Sequence, residues 1–282
     1  MEGLLPKLPI ASWIDMMIDW LVDNFEPFFE GIATGLESFV DGIVTGLGFI
    51  PVFILALLVG LLAWKVVNWR IALFTFIGLL LIDNLGYWEN MLDTIALVLT
   101  SVGISIILGI PIGIWSSQSE TVGKIVTPIL DFMQTMPAFV YLLPAIFFFN
   151  IGVVPGVVAS VIFAMPPTIR LTILGIKQVP EDLVEATQAF GSTTSQKLLK
   201  VQLPLALPTI MAGINQSIML ALSMVVIASM VGAPGLGADV YRAVTQLQTG
   251  TGFEAGLAIV IIAIILDRIT QNIGKRKKGG TA

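Results

Sequence analysis

Long apolar stretches parted by short polar connections run through almost the whole chain. Spanning a bilayer takes about 20 predominantly apolar residues. The pattern predicts about seven such helices, near 44–64, 70–88, 92–116, 122–149, 153–176, 206–231 and 252–271. The segment 122–149 is longer than a single span needs and carries prolines, so it predicts a broken helix. Before these, from Trp13 to Phe29, the pattern changes. Asp15, Asp19, Asp23 and Glu26 recur at spacings of three and four, and Trp13, Met17, Trp20, Leu21 and Phe28 fall elsewhere around the helix. Such a helix lies in the membrane interface with its indole rings at headgroup depth. The alternative is a solvated helix packed on the protein itself, and neither form crosses the bilayer.

Composition supports an all-α, polytopic membrane protein. Of 282 residues, 56% are hydrophobic and 12% charged, about half the charged share of an ordinary soluble domain. The chain has no Cys and no His. That excludes a disulfide framework and thiol chemistry, and removes the commonest general base and metal ligand. No catalytic residue, metal site or bound cofactor is expected. The first thirty residues carry acids throughout and no basic n-region, so they do not read as a secretory signal.

The net charge of −5 matters less than where the charges sit. Lys65 and Arg70 lie between the first two predicted spans, and Lys124 between the third and fourth. Arg170, Lys177, Lys197 and Lys200 lie in or beside the connection from the fifth to the sixth. Arg268 and Lys275 to Lys278 close the chain. Alternating spans put all of these on one side and leave only Lys7 and Arg242 on the other. Short cytoplasmic loops hold the Lys/Arg excess, so the basic side is expected to be cytoplasmic. An odd number of spans then puts the N-terminal helix outside and the C-terminal tail inside.

One polar island interrupts the apolar pattern on that side. In "VPEDLVEATQAFG", Pro180 suits a first helical position, and Glu181 and Asp182 suit a first turn. Leu183, Ala186, Thr187 and Phe190 form a single apolar stripe. Gly191 predicts a left-handed C-terminal stop. Ser192, Thr193 and Thr194 offer N-caps for a second short helix carrying Leu198, Leu199 and Val201, which Pro204 and Pro208 are expected to end. Two short helices at a Gly corner make a knob suited to a partner's groove; a loop folded back on the membrane surface is the alternative.

The spacing in this island carries a resemblance. Glu185-Ala186-Thr187, three residues, Gly191, nine residues, then Val201-Gln202-Leu203-Pro204 resembles the EAA loop of ABC importer permeases, with Thr187 in place of an Ala and Val201 in place of an Ile. The resemblance extends from about Asn90 to Gln271. Within it, "DFMQTMPAFVYLLPAIFFFNIGVVPG" and "MVGAPGLGADVY" resemble the glycine betaine and proline betaine branch of that family, as do the acidic N-terminus and two spans ahead of the core.

The resemblance implies a type I ABC importer permease, with residues 1–32 as an outer amphipathic helix and 33–89 as two added spans. The transmembrane core would be 90–271, its coupling loop 179–204, and the basic cytoplasmic tail 272–282. It implies that Glu185, Ala186, Thr187, Phe190, Gly191, Leu203 and Pro204 couple to a cytoplasmic ATPase subunit. The substrate it implies is glycine betaine or a related quaternary ammonium osmoprotectant. The chain has no G-x-x-x-x-G-K-[ST] phosphate loop, so ATP and Mg are expected on that partner, and the chain itself is expected to be non-catalytic. An extracellular solute-binding protein, a second copy of the chain about a two-fold axis and membrane lipids complete the expected partners, with no nucleic acid.

Other residues are candidates for the pathway. Asp131 is an acid deep in an apolar segment, where it either anchors the cytoplasmic end or lines the passage. Met136, Pro137, Phe139 and Tyr141 sit at the break in 122–149. A quaternary ammonium has no N–H to donate and is held by aromatic faces, though aromatic residues in a span also serve as plain lipid or helix contacts. Ser105, Gly109 and Gly113, four apart, predict a close-packing face, and Pro111 a bend. Pro234 and Gly235 mark an outer loop, followed by a short helix over Asp239 to Gln248. Another small-solute importer of the same kind is one alternative. An ion-coupled secondary transporter, which would show inverted repeats and midplane carboxylates, and a membrane scaffold without transport are the others.

Overall fold

The computed structural model describes residues 9–275, so Arg276, Lys277 and Lys278 of the basic tail lie outside the described residues. The chain is helical throughout. In order come α1 (Ile10–Gly48), α2 (Val52–Val66), α3 (Trp69–Asn84), α4 (Trp88–Gln118), α5 (Glu120–Thr135) and α6 (Ala138–Phe149). Then follow α7 (Val153–Lys177), α8 (Glu181–Ala189), α9 (Thr194–Lys197), α10 (Leu203–Ser229), α11 (Leu236–Thr245) and α12 (Thr249–Lys275), with a π-helical turn at Leu198–Gln202 joining α9 to α10.

Among the described residues four helices are long and apolar enough to cross a membrane: α4, α7, the continuous run Thr194–Ser229, and α12. Two pairs, α1 with α2 and α5 with α6, each bend by 100°, and counting each as one span gives up to six. By length and composition the count is thus four to six against the expected seven or so, because α2 and α3 are each shorter than a full span. The first expected span, 44–64, is cut at Gly48, because Pro51 forces the residue before it out of the helical region. What remains as α2 has 15 residues, about 22 Å of helix against a hydrocarbon core of about 30 Å. The second, 70–88, stops at Asn84. Gly86 takes φ +80° and closes a Schellman turn, Tyr87 N–H donating to the Ile82 carbonyl and Gly86 N–H to that of Asp83.

The core is the packing of α7 against α4 and α10. Small residues let the backbones approach. A Cβ on Gly113 would lie 2.6 Å from Thr172 Cβ, and one on Gly109 3.1 Å from Thr168 Cγ2. Ser105 completes that face, its hydroxyl bonded back to the Ser101 carbonyl at 2.8 Å. The stripe Ser105, Gly109, Gly113 is thus a helix-packing face, and α4 continues through Pro111.

The two ends of the bundle can be told apart by contacts. The Tyr87 hydroxyl donates to the Thr251 carbonyl at 3.4 Å, and Asn90 to a carboxylate oxygen of Asp239. The turn before α4, the start of α12 and all of α11 therefore share one end, the Tyr87 end. At the far end of α4, Gln118 Nε2 donates to Gln202 Oε1 at 3.2 Å, which places α8 and α9 at the opposite end, the Gly191 end. The helix α1 lies across the Tyr87 end. Phe29 stacks on Phe148 at 4.5 Å near the end of α6, and Gly48 sits against Leu92 near the start of α4. The amphipathic segment expected over 13–29 is thus the first half of a 39-residue helix, bent at Phe25 just before Pro27 and continuing past the boundary drawn at 32.

Candidate coupling surface and broken membrane helix

At the Gly191 end the polar island forms the two short helices that its punctuation predicts. Pro180 stands just before α8, one residue earlier than expected, and Glu181 and Asp182 fill the first turn. At the other end of α8, Gly191 takes φ +74°. Ser192 N–H reaches the Thr187 carbonyl at 3.1 Å and Gly191 N–H that of Gln188 at 2.9 Å, a second Schellman turn. Thr193 then caps α9 in a reciprocal box with Gln196, its hydroxyl accepting from Gln196 N–H at 3.2 Å.

The prolines do not act as expected. Pro204 and Pro208 do not stop this second helix; it runs without interruption from Thr194 to Ser229. The π-helical turn explains how. Leu203 N–H donates to Leu198, five residues back, so the register slips by one just where Pro204 has no N–H to give.

The apolar stripe of α8 faces outward. Phe190 is 92% exposed, and Leu183 and Leu199 are exposed beside it. Glu185 and Ala186 are also exposed, while Thr187 is half-buried and bonds back to the Val184 carbonyl at 2.7 Å. Leu203 is half-buried and Pro204 exposed at the start of α10. The result is a projecting corner whose large apolar side chain has no partner within the described chain.

The second feature is the break between α5 and α6, where the chain turns by 100° at Met136–Pro137. Pro128 lies within α5 without stopping it, so the break belongs to Pro137. A helix continuing through residue 137 would satisfy the Met133 carbonyl with the amide of residue 137, and proline has none. The Tyr141 hydroxyl donates to that carbonyl instead. Tyr141 is consequently buried, whereas Phe139, two residues away, is exposed, and Met136 is half-buried.

Asp131, one turn before the break, pairs with Arg170 of α7 at 2.5 Å. Both side chains are part-exposed, and Arg170 Nε is buried without a hydrogen-bond partner. Arg170 thus lies within α7, seven residues from its end, and its charge is engaged across to α5. Two further polar groups went unrecognised in the sequence. Asn215 of α10 donates to Asp267 of α12 at 2.7 Å, and Thr270 and Gln271 complete that cluster. Asp239 of α11 is held by Asn90 and by Arg242 at 3.6 Å. A polar side chain within an apolar run was the available signal for Asn215. At the same end, burial, with Glu254 and Asp239 nearby, holds the Tyr87 hydroxyl above the usual phenol range, so it remains a donor.

Comparison with known proteins decides what this scaffold is. The family described as "Binding-protein-dependent transport system inner membrane component" matches residues 105–279. The chain belongs to that family. It is 73% identical to the glycine betaine transport system permease protein OpuAB of Bacillus subtilis, over 97% of each chain. It is 56% identical to the glycine betaine/carnitine transport permease protein GbuB of Listeria monocytogenes, over 97% of this chain and 98% of the other. Among solved structures, the inward-facing MetNI methionine ABC transporter superposes with a TM-score of 0.57 at 23% identity, covering 68% of this chain and 94% of that one. That likeness shows the fold of an ABC importer permease, and the family makes the chain a multi-pass membrane component.

Proposed function

We propose that this chain is the permease subunit of an ATP-driven importer for glycine betaine and related quaternary ammonium solutes. The observation that carries the reading is the 73% identity, over nearly the full length, to a permease named for glycine betaine transport. The projecting Leu183–Phe190–Leu199 corner supports it, because an apolar knob turned by Gly191 suits docking on a soluble subunit. In this reading Glu185, Ala186, Thr187, Phe190, Gly191, Leu203 and Pro204 form the joint to a separate ATPase subunit that binds ATP and Mg. The Gly191 end carries Lys177, Lys197 and Lys200 and faces the cytoplasm, as basic connections do. The Tyr87 end then faces outward, with α1 in the outer interface and α11 toward a solute-binding protein. Two copies pair to enclose one pathway, with the broken helix α5–α6 and exposed Phe139 along it; the solute's cationic head is suited to aromatic faces.

Uptake of labelled glycine betaine tests this reading in cells lacking every other betaine carrier and expressing this chain with its co-purifying subunits. ATP-dependent uptake and a stoichiometric ATPase in the purified complex are expected. Uptake that survives ATP depletion and follows an ion gradient would overturn the reading in favour of a secondary transporter.

A further inference from the structure

The hairpin of α2 and α3 adds two short helices beside α12, where Gly78 lies against Ile261. Its opposite side is open. Leu57, Leu61 and Trp64 line up along α2, and Trp69, Leu73 and Phe76 along α3. Gly60 and Ala72 form a low floor between them, giving an apolar groove of about 420 Å³. One end of the groove is closed by Phe53 against Phe76, ring to ring at 5.5 Å. The other end opens at the hairpin corner, and its chemistry changes there. Lys65 follows Trp64, and Arg70 follows Trp69, with the guanidinium 5.8 Å from the Trp69 ring centroid.

Both cations are exposed, and among the described residues neither takes part in an ion pair. Asn68 caps Ile71 N–H at 2.9 Å, which leaves the first amides of α3 facing the same place and adds a favourable field for an anion. An apolar slot about two helical turns long, ending in two unpaired cations and flanked by two indoles, matches the headgroup and the upper acyl chain of one amphiphile. Helix length adds a reason for the headgroup to approach. At 16 residues, α3 reaches about 24 Å, short of the roughly 30 Å core, and short helices draw the bilayer surface toward their flanking basic residues.

We propose that the α2–α3 hairpin holds one anionic phospholipid, an acyl chain lying in the groove and the headgroup phosphate bound between Lys65 and Arg70. The corner lies at the Gly191 end, one length of α3 from Tyr87, so the lipid comes from the leaflet on that side. A zwitterionic lipid fits the groove equally well but gains less at the corner, since each basic side chain near an anionic surface is worth roughly a fivefold preference.

The test uses the full chain reconstituted in vesicles, with Trp13, Trp20, Trp88 and Trp115 replaced by Phe so that only Trp64 and Trp69 report. Quenching by brominated phosphatidylglycerol is compared with quenching by brominated phosphatidylcholine. We expect half-quenching at a mole fraction of phosphatidylglycerol at least about fivefold lower. Lys65→Gln with Arg70→Gln should abolish that preference while quenching by phosphatidylcholine persists, which also shows that the hairpin remains folded. Equal quenching by both lipids in the parent would overturn the proposal, leaving ordinary solvating lipid. Absence of quenching by either would overturn it too, showing the groove filled by protein such as a second copy.

Discussion

The Tyr141 hydroxyl takes the place of the amide that Pro137 lacks, donating to the Met133 carbonyl across the break between α5 and α6. One residue creates the vacancy and another, four positions on, fills it. This hydrogen bond ties the two half-helices directly to each other, beside their separate packing against α7. An unpaired carbonyl in a water-poor site costs about 1–3 kcal/mol, so this contact is a candidate control point for a helix on the proposed pathway.

Tyr141→Phe should lower the thermal stability of the purified permease by about that amount and slow uptake, with membrane insertion intact. Pro137→Ala restores an amide at position 137, so the cost of losing the hydroxyl should shrink in that background. A double-mutant cycle in thermal unfolding reads the coupling. Additive effects would show that the hydroxyl and the missing amide are unrelated.

Gly191→Val places a β-branched side chain at φ +74°, where L-residues lose about 1–2 kcal/mol. No atom lies within 4 Å of a Cβ built there, so backbone strain and not a clash is the cause. Gly191→Asn, which tolerates that conformation, should keep ATPase association and uptake, and Gly191→Val should lose both. Equal loss in the two variants would point to the missing space of a docking partner instead of the turn.

Glu185 is exposed and makes no ion pair among the described residues. Glu185→Lys should therefore leave the stability of the isolated permease within about 0.5 kcal/mol. A charge-assisted bond to a basic group on the ATPase is worth about 1.5–3 kcal/mol, so the same variant should release that subunit or uncouple hydrolysis from uptake. Parent-level transport would mean the carboxylate is merely solvated.

Much of this was readable from local chemistry. The turn at Gly191 and the break in 122–149 follow from residues whose backbone limits are intrinsic, and both are found where the chain places them. The prolines at 27, 204 and 208 show where such reasoning stops. Pro27 bends α1 without ending it, and a π-helical turn absorbs Pro204. Whether a missing amide ends a helix depends on what else can satisfy the freed carbonyl, which a sequence window does not contain. The corner at Gly48–Pro51 was hidden because apolar residues continue on both sides of it. Arg170 was placed in or beside a connection and its pairing was not legible, because its partner Asp131 lies 39 residues away on another helix, and the rotation that faces them is set by packing.

That pair also makes a prediction. Asp131 sits in the half of the broken helix nearer the Gly191 end, and Arg170 in the helix at the centre of the core. Their contact is part-exposed, so its strength falls between a solvated surface pair, near 0–1 kcal/mol, and a buried one, where removing one partner costs about 3–5 kcal/mol. Asp131→Asn strands the guanidinium, whose Nε already has no partner, and Arg170→Gln strands the carboxylate in an apolar segment. Each should destabilise the permease by about 1–3 kcal/mol, with the double variant milder than either because no charge is left uncompensated. Thermal unfolding of the three proteins decides it. If uptake follows stability, recovering in the double variant, the pair is an anchor that fixes α5 on α7. If stability recovers and uptake stays low, the charges themselves act in transport.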